Sequence, residues 1–230
     1  MRLAGTDITF TYPGAESPVF NDFSFQLAEP GFHAVFGPSG VGKTSLARLI
    51  TGHLAPKAGG IIREDIHAVL YCYNLERLPD WSSVGRHLKR VTPAASTERK
   101  EELVSVFGLK ECMGSKFSSL SLGQRNRVNL LRYLLQDFQV LIMDESLANV
   151  DEKTRETILL KIKALYTEVI FIYISHNVVE VAKFCRQIVV VRGAEKAPQA
   201  RKIRGMDHRI GQDFARERLE QVMLEIMNAA

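Results

Sequence analysis

Residues 37–44 read Gly37-Pro38-Ser39-Gly40-Val41-Gly42-Lys43-Thr44: a glycine, four residues, then Gly-Lys-Thr. This is the spacing of a P-loop. It constrains the fold more than any other feature of the chain, because a phosphate cradle needs a buried strand before the loop and a helix N-terminus after it. Gly37, Gly40 and Gly42 let the backbone take φ values that a Cβ disfavours and let it approach phosphate oxygens closely. Lys43 has the reach to meet β- and γ-phosphates, and the Thr44 hydroxyl is suited to Mg²⁺. The flanks agree. Residues 33–36 form a short apolar run, and residues 43–50 carry Leu46, Leu49 and Ile50 at helical spacing.

A second acidic motif completes such a site. Val140-Leu141-Ile142-Met143 reads as a buried strand that ends in Asp144-Glu145. At the C-terminal end of a central strand, Asp144 holds Mg²⁺ directly or through water, and Glu145 polarises an attacking water as general base.

The remaining pattern alternates. Strands are expected over 8–12, 20–27, 68–73, 140–143, 169–174 and 188–191, with Pro13-Gly14 and Pro18 as turn residues between the first two. Helices are expected over 124–136, 152–165 and 178–184, and over a stretch that Ser96 or Thr97 caps and Gly108 ends. Alternating strands and helices predict an α/β fold with a mainly parallel sheet covered on both faces. The expected architecture is one domain over 1–230. A P-loop NTPase (RecA-like) core occupies 1–82 and 138–192 and includes an N-terminal antiparallel β portion. A helical subdomain occupies 83–137, and 193–230 form a polar, basic C-terminal extension. Within the extension, 213–227 read as an amphipathic helix with Phe214, Leu219, Val222 and Ile226 on one side.

A chain of 230 residues with 46% hydrophobic residues can bury a full core. No stretch approaches the roughly 18 apolar residues that cross a bilayer, and residues 1–7 lack the apolar segment of a signal peptide. A cytoplasmic chain is expected. Cys72, Cys112 and Cys185 form no CxxC pair and no zinc spacing with the histidines, so they read as buried reduced thiols. The net charge of +4 fits an anionic ligand or a negative membrane surface and gives no argument for nucleic acid.

Further residues carry a resemblance. Leu120-Ser121-Leu122-Gly123-Gln124 resembles the Leu-Ser-Gly-Gly-Gln signature of ABC transporter nucleotide-binding subunits, and it stands before a helix some 20 residues ahead of Asp144. Ser146-Leu147-Ala148-Asn149-Val150-Asp151 resembles the D-loop of that family. Ile174-Ser175-His176 resembles the strand end with the switch histidine, and Tyr12 resembles the aromatic residue that stacks on adenine. The resemblance covers residues 1 to about 192.

It implies ATP and Mg²⁺ as ligands, with Gly37, Pro38, Ser39, Gly40, Val41, Gly42, Lys43, Thr44 and Ser45 on the phosphates. It also implies a head-to-tail dimer, homodimer or pseudo-dimer, in which Ser121, Leu122, Gly123 and Gln124 of one subunit meet the nucleotide of the other. His176 is expected to bond the γ-phosphate and orient water with Glu145. Asn74 stands where the family's Q-loop carries glutamine, beside the metal and the lytic water. The sequence departs from the family pattern at three places: Leu122 for glycine, Asn74 for glutamine and Ser146 for proline.

The stretch Leu75-Glu76-Arg77-Leu78-Pro79-Asp80-Trp81-Ser82-Ser83-Val84 is similar to one found in importers of the nitrate, sulfonate and taurine group, whose relatives carry pyrimidine precursors. Trp81 either lines the groove for a permease's coupling helix or packs the helical subdomain. The implied partners are integral-membrane permease subunits and a solute-binding protein, with this chain peripheral on the cytoplasmic face. Two other readings stand beside the importer motor. One is a soluble ABC ATPase acting on nucleic acid or the ribosome, although no second P-loop or heptad run is present. The other is a low-turnover regulatory paralogue, suggested by Asn74 and Leu122.

Overall fold

The computed structural model describes residues 1–74 and 76–230; Leu75, the first residue of the importer-like stretch, lies outside the described residues. Strands β1 (Arg2–Phe10) and β2 (Phe20–Leu27) come first, then β3 (Gly31–Phe36) and helix α1 (Lys43–Thr51). β4 (Ala58–Glu64) and β5 (Val69–Tyr73) follow, and then the helical stretch α2 (Val84–Val91), α3 (Thr97–Val106) and α4 (Leu122–Leu134). β6 (Val140–Asp144), α5 (Glu152–Leu165), β7 (Ile170–Ile174), α6 (Val178–Phe184) and β8 (Gln187–Val191) alternate, and β9 (Ala200–Arg204) and α7 (Arg216–Ala229) end the chain.

Six strands form one sheet in the order β5-β6-β7-β3-β8-β9. All pair in parallel except β9, which runs antiparallel to β8. The expected α/β, mainly parallel, P-loop NTPase architecture is therefore present. β6 and β7 are buried at every position, as strands covered on both faces must be. On one face, Val35, Ile142 and Ile172 pack with α1 and the antiparallel sheet β2-β1-β4. On the other, Phe32, Leu141, Met143 and Phe171 pack with residues of α4 to α7.

Four expectations need correction. The C-terminal helix runs Arg216–Ala229 rather than 213–227, so Phe214 precedes it and is exposed, while Val222 and Ile226 are buried as read. The first strand spans 2–10 rather than 8–12. Gly5-Thr6-Asp7 look like a turn but form a bulge: Asp7 sits at φ 49, and its N–H donates to Ser24 Oγ at 2.9 Å. β4 and β9 were not anticipated. Both are edge strands with mostly exposed side chains, so neither shows the apolar run or strict alternation that marks a strand. Nor do Ser96 or Thr97 cap α3 by a side-chain bond. The helix instead continues from a 3-10 turn over Ala94–Ser96, and the Thr97 hydroxyl donates to the Ala94 carbonyl at 2.9 Å. Its end is as read: Gly108 adopts φ 60, and the Leu109 N–H returns to the Val104 carbonyl.

His87 on α2 is buried edge-on against Phe117, with neither ring nitrogen hydrogen-bonded. Burial, with Arg132 and Arg90 nearby, pushes its pKa down; burial does the same to His33 and His208. Below a pH of about 6.5 the unfolded chain binds protons that these rings refuse in the fold, so stability falls with acidification. Chemical denaturation at pH 7.5 and 5.5 should show that loss, and His87→Phe should reduce it. An equal pH slope in the variant would remove His87 from the account.

Candidate functional site

The parallel order places three chain crossings at one end of the sheet. The P-loop leaves β3, Asp144-Glu145 end β6, and Ser175-His176 leave β7. The pairing register puts Asp144 opposite Ile174, so the acidic pair and the histidine turn emerge side by side. A cavity of about 220 Å³ lies among them, lined by Ser39, Gly40, Gly42, Lys43, Thr44 and Ser45 together with Asp144, Glu145 and His176.

The loop leaves backbone donors open at the cavity. α1 begins after Gly42, at φ 107, without a side-chain cap, so its first N–H groups stay available. A Cβ on Gly42 would meet Val19 Cγ1 at 2.5 Å and the Phe20 ring at 2.9 Å, which explains glycine there. Lys43 Nζ donates to the Gly37 and Pro38 carbonyls, both at 2.8 Å. It makes no ion pair among the described residues; burial lowers its pKa, and Asp144 and Glu145 act against that shift. Val41 packs against the apolar layer next to α1. The Tyr12 hydroxyl shares a 2.9 Å hydrogen bond with Ser45 Oγ, which holds its ring beside the start of α1.

Asp144 Oδ2 accepts from the Thr44 hydroxyl at 2.9 Å and from the Tyr71 hydroxyl at 2.8 Å. Sequence reasoning did not single out Tyr71. Alternation along β5 sets it on the face opposite Cys72, but only the pairing of β5 with β6 brings its hydroxyl to Asp144. One hydroxyl and one carboxylate suit Mg²⁺, which takes few protein oxygens and completes its shell with phosphate and water. Among the described residues no cluster of three His, Cys, Asp or Glu side chains offers a protein-only metal cage.

Glu145 occupies the left-handed region at φ 50, a conformation that disfavours a Cβ. Its N–H donates to the Ile174 carbonyl at 3.0 Å, and its own carbonyl accepts from Ala148 N at 2.9 Å. The carboxylate meets His176 Nε2 at 2.6 Å. Buried Glu180 braces the histidine turn by accepting from the Tyr173 hydroxyl at 2.7 Å, Ser175 Oγ at 3.3 Å and Asn177 Nδ2 at 3.0 Å. Arg155 of α5 closes that network by pairing with Glu180.

Other predicted residues lie outside this cavity. Asn74 follows β5, its N–H bonded to the Asp144 carbonyl at 3.1 Å, while its buried Oδ1 has no partner. Ser121 caps α4 by accepting from Gln124 N at 3.2 Å, and Gln124 Oε1 accepts from Ser121 N at 2.9 Å. Leu122 is therefore helical, as its departure from glycine requires, and its side chain is 50% exposed. It lines a second groove with Leu78 and Phe117. Trp81 is 78% exposed, so it does not pack the helical segment. Ser146 is buried without disturbing the turn, which the Ala148-to-Glu145 bond closes.

α4 is locked onto the loop after Glu145. Asn126 Nδ2 donates to the Ala148 carbonyl at 2.7 Å, and a Cβ on Gly123 would stand 2.4 Å from the Asn149 carbonyl. Gly123→Ala should cost about 1–3 kcal/mol of folding stability, by the overpacking that an added methyl forces. Urea denaturation measures it, and an unchanged midpoint would show that the helix and loop separate freely.

Comparison with known proteins adds the following. The family described as ABC transporter matches residues 20–148. The molybdenum import ATP-binding protein ModC of Brucella suis is 34% identical over 71% of this chain and 51% of its own length. The spermidine/putrescine import ATP-binding protein PotA of Fusobacterium nucleatum is 29% identical over 77% of this chain and 52% of its own. The taurine import ATP-binding protein TauB of Pseudomonas putida is 31% identical over 80% and 76%. The chain thus spans about half the length of the molybdenum and polyamine relatives. Among solved structures, a bacterial Atm1-family exporter with ATP bound superposes at TM-score 0.73 with 21% identity, over 82% of this chain and 37% of that one.

Proposed function

The chain belongs to the ABC transporter family, and we propose that it is the ATP-binding and ATP-hydrolysing motor subunit of a membrane importer. The observation that carries this reading is the single cavity shared by Lys43, Thr44, Asp144, Glu145 and His176. Its residues divide the work. Lys43 and the N–H groups that open α1 neutralise phosphate charge. Thr44 and Asp144 would hold Mg²⁺, which when bound would offset phosphate charge. Glu145 takes a proton from the attacking water, and His176, paired with it, fixes the direction of the carboxylate. Asn74, which follows β5 outside the cavity, is assigned to orient that water or the metal's hydration shell through a bridging water. Tyr12 offers its ring to the base.

Ser121 to Gln124 line none of the P-loop cavity. A head-to-tail dimer supplies them from a second subunit, whose α4 N-terminus then faces the γ-phosphate. Loss of that phosphate removes the contact and lets the dimer open. The helical segment over 83–137 is read as the subdomain that carries this signature, and 193–230 as an extension closing the core.

Among the described residues no helix is long and apolar enough to cross a membrane, so permease subunits are the proposed membrane partners. Exposed Trp81 beside Leu78 is the proposed contact for them at the cytoplasmic face. Import is favoured because the three sequence relatives at 29–34% identity are import ATP-binding proteins, whereas the exporter structure at 21% identity shares the fold alone, and the stretch over 75–84 points to a small polar or anionic solute. Purification from native membranes in mild detergent should recover a multi-span permease; recovery with ribosomes would overturn this.

Two substitutions probe the chemistry. Glu145→Gln should lower ATP turnover by about 10²–10⁴-fold while ATP binding persists; unchanged turnover would remove Glu145 as the base. Tyr71→Phe leaves Asp144 one hydrogen bond short. It should raise the Mg²⁺ concentration needed for half-maximal turnover about tenfold, the order of one charge-assisted bond, with ATP binding in the absence of Mg²⁺ unaltered. An equal Mg²⁺ dependence would make Tyr71 structural only.

A further inference from the structure

A groove of about 890 Å³ runs between β1 and β2 on one side and β8 and β9 on the other. It runs along β8 and β9, from Gln187 and Arg204 at the end away from the P-loop to Ala200, which pairs with Val191 at the P-loop end, and it takes His33 from β3. None of the residues assigned to ATP chemistry lines it.

Its walls are basic. The register pairs Gln187 with Arg204 and Val189 with Lys202, so Lys202 and Arg204 stand on the face of β9 that continues from Gln187 and Val189. Among the described residues neither cation has an acidic partner. Arg2 and Arg186 also line the groove, held by Glu64 and Glu29. Arg201 is a further basic lining residue, and Glu29 is the one carboxylate on the wall.

The floor holds an unused acceptor. His33 is 2% exposed, and its Nε2 lies 2.8 Å from the Glu29 carbonyl oxygen. A carbonyl only accepts, so Nε2 carries the proton. Burial keeps the ring neutral by lowering its pKa. Nδ1 is thus a lone-pair acceptor, and it has no partner. Nδ1 itself is closed to solvent, so a ligand hydroxyl meets it only as the floor side chains shift, and that contact recovers the free energy that a buried acceptor without a donor costs.

We propose that this groove binds a small polyanion that carries a hydroxyl beside its acidic groups. Lys202 and Arg204 attract the charge, and His33 Nδ1 selects the hydroxyl. The groove's volume falls in the range of small-molecule sites, and its two sheet walls distinguish it from the flat basic patch that suits a duplex or a bilayer.

The probes are citrate and tricarballylate, which is citrate without the hydroxyl. Each is titrated calorimetrically into the intact chain at fixed ionic strength without Mg²⁺. Citrate should bind at one saturable site, and tricarballylate several-fold more weakly. Lys202→Ala with Arg204→Ala, both exposed edge-strand positions, should weaken citrate about tenfold or more, since each loses one charge contact. The P-loop is identical in both proteins, so that loss belongs to the groove. The ¹⁵N resonance of His33 Nδ1 should move with citrate. No saturable citrate binding, equal affinity for the two probes, or citrate binding unchanged in the double variant would each overturn the proposal. So would binding only to anionic lipid vesicles that the double substitution abolishes, because a membrane surface would then be the occupant.

Discussion

The parallel register of β3, β7 and β6 is the constraint from which the rest of the molecule follows. Ile170 to Ile174 of β7 are paired on one side with Gly31 to Val35 and on the other with Val140 to Asp144. Parallel strands all end at the same edge, so whatever follows them is gathered there without further instruction. The P-loop, the acidic pair and the histidine turn lie far apart along the chain and meet because three apolar runs share one sheet. The two apolar layers that sandwich these strands stabilise the site by holding that register: a slip of one residue would turn every inward side chain to the opposite face.

Around this edge the polar groups are economical. Asp144 Oδ2 serves two hydroxyls, Thr44 from α1 and Tyr71 from β5. Lys43 satisfies two carbonyls of its own loop, and Glu145 meets His176. Lys43 is held by its own loop, whereas the Thr44, Tyr71 and His176 bonds join separate segments, so the sheet preorganises the cavity together with the local loop. Left-handed backbone at Glu145 and at Asn149 in the loop after it carries conformational cost, and the first of these falls on the residue assigned to base chemistry. Behind the cavity, Glu180 ties the histidine turn to α5 through Arg155, and Gly123 seats α4 against the Asn149 carbonyl. The segments that would sense a phosphate therefore share rigid neighbours.

Legibility followed burial. β2, α5 and α6 begin and end where their residue patterns indicate, because each has an apolar stripe or run bounded by turn or capping residues. Asp151 caps α5 and Asn177 caps α6 through side-chain bonds, the chemistry expected of those residue types. β4 and β9 went unseen because an edge strand forms its ladder with backbone atoms and leaves its side chains in water. The early half of β1 was hidden by a bulge whose Gly-Thr-Asp composition is that of a turn.

By itself the sequence determined the candidate groups: a loop with P-loop spacing, an acidic strand end, a histidine and a helix-capping signature, each defined by short-range spacing that a single residue string displays. Only the tertiary structure decided which distant side chains share an atom. Tyr71 reaches Asp144, Asn126 holds the Ala148 carbonyl, and the basic edge of β9 faces His33 across a groove. The reason is physical. Local spacing fixes backbone propensity and the direction in which a side chain leaves its own element, but strand order and register fix what it meets, and those are set by burial summed over the whole core.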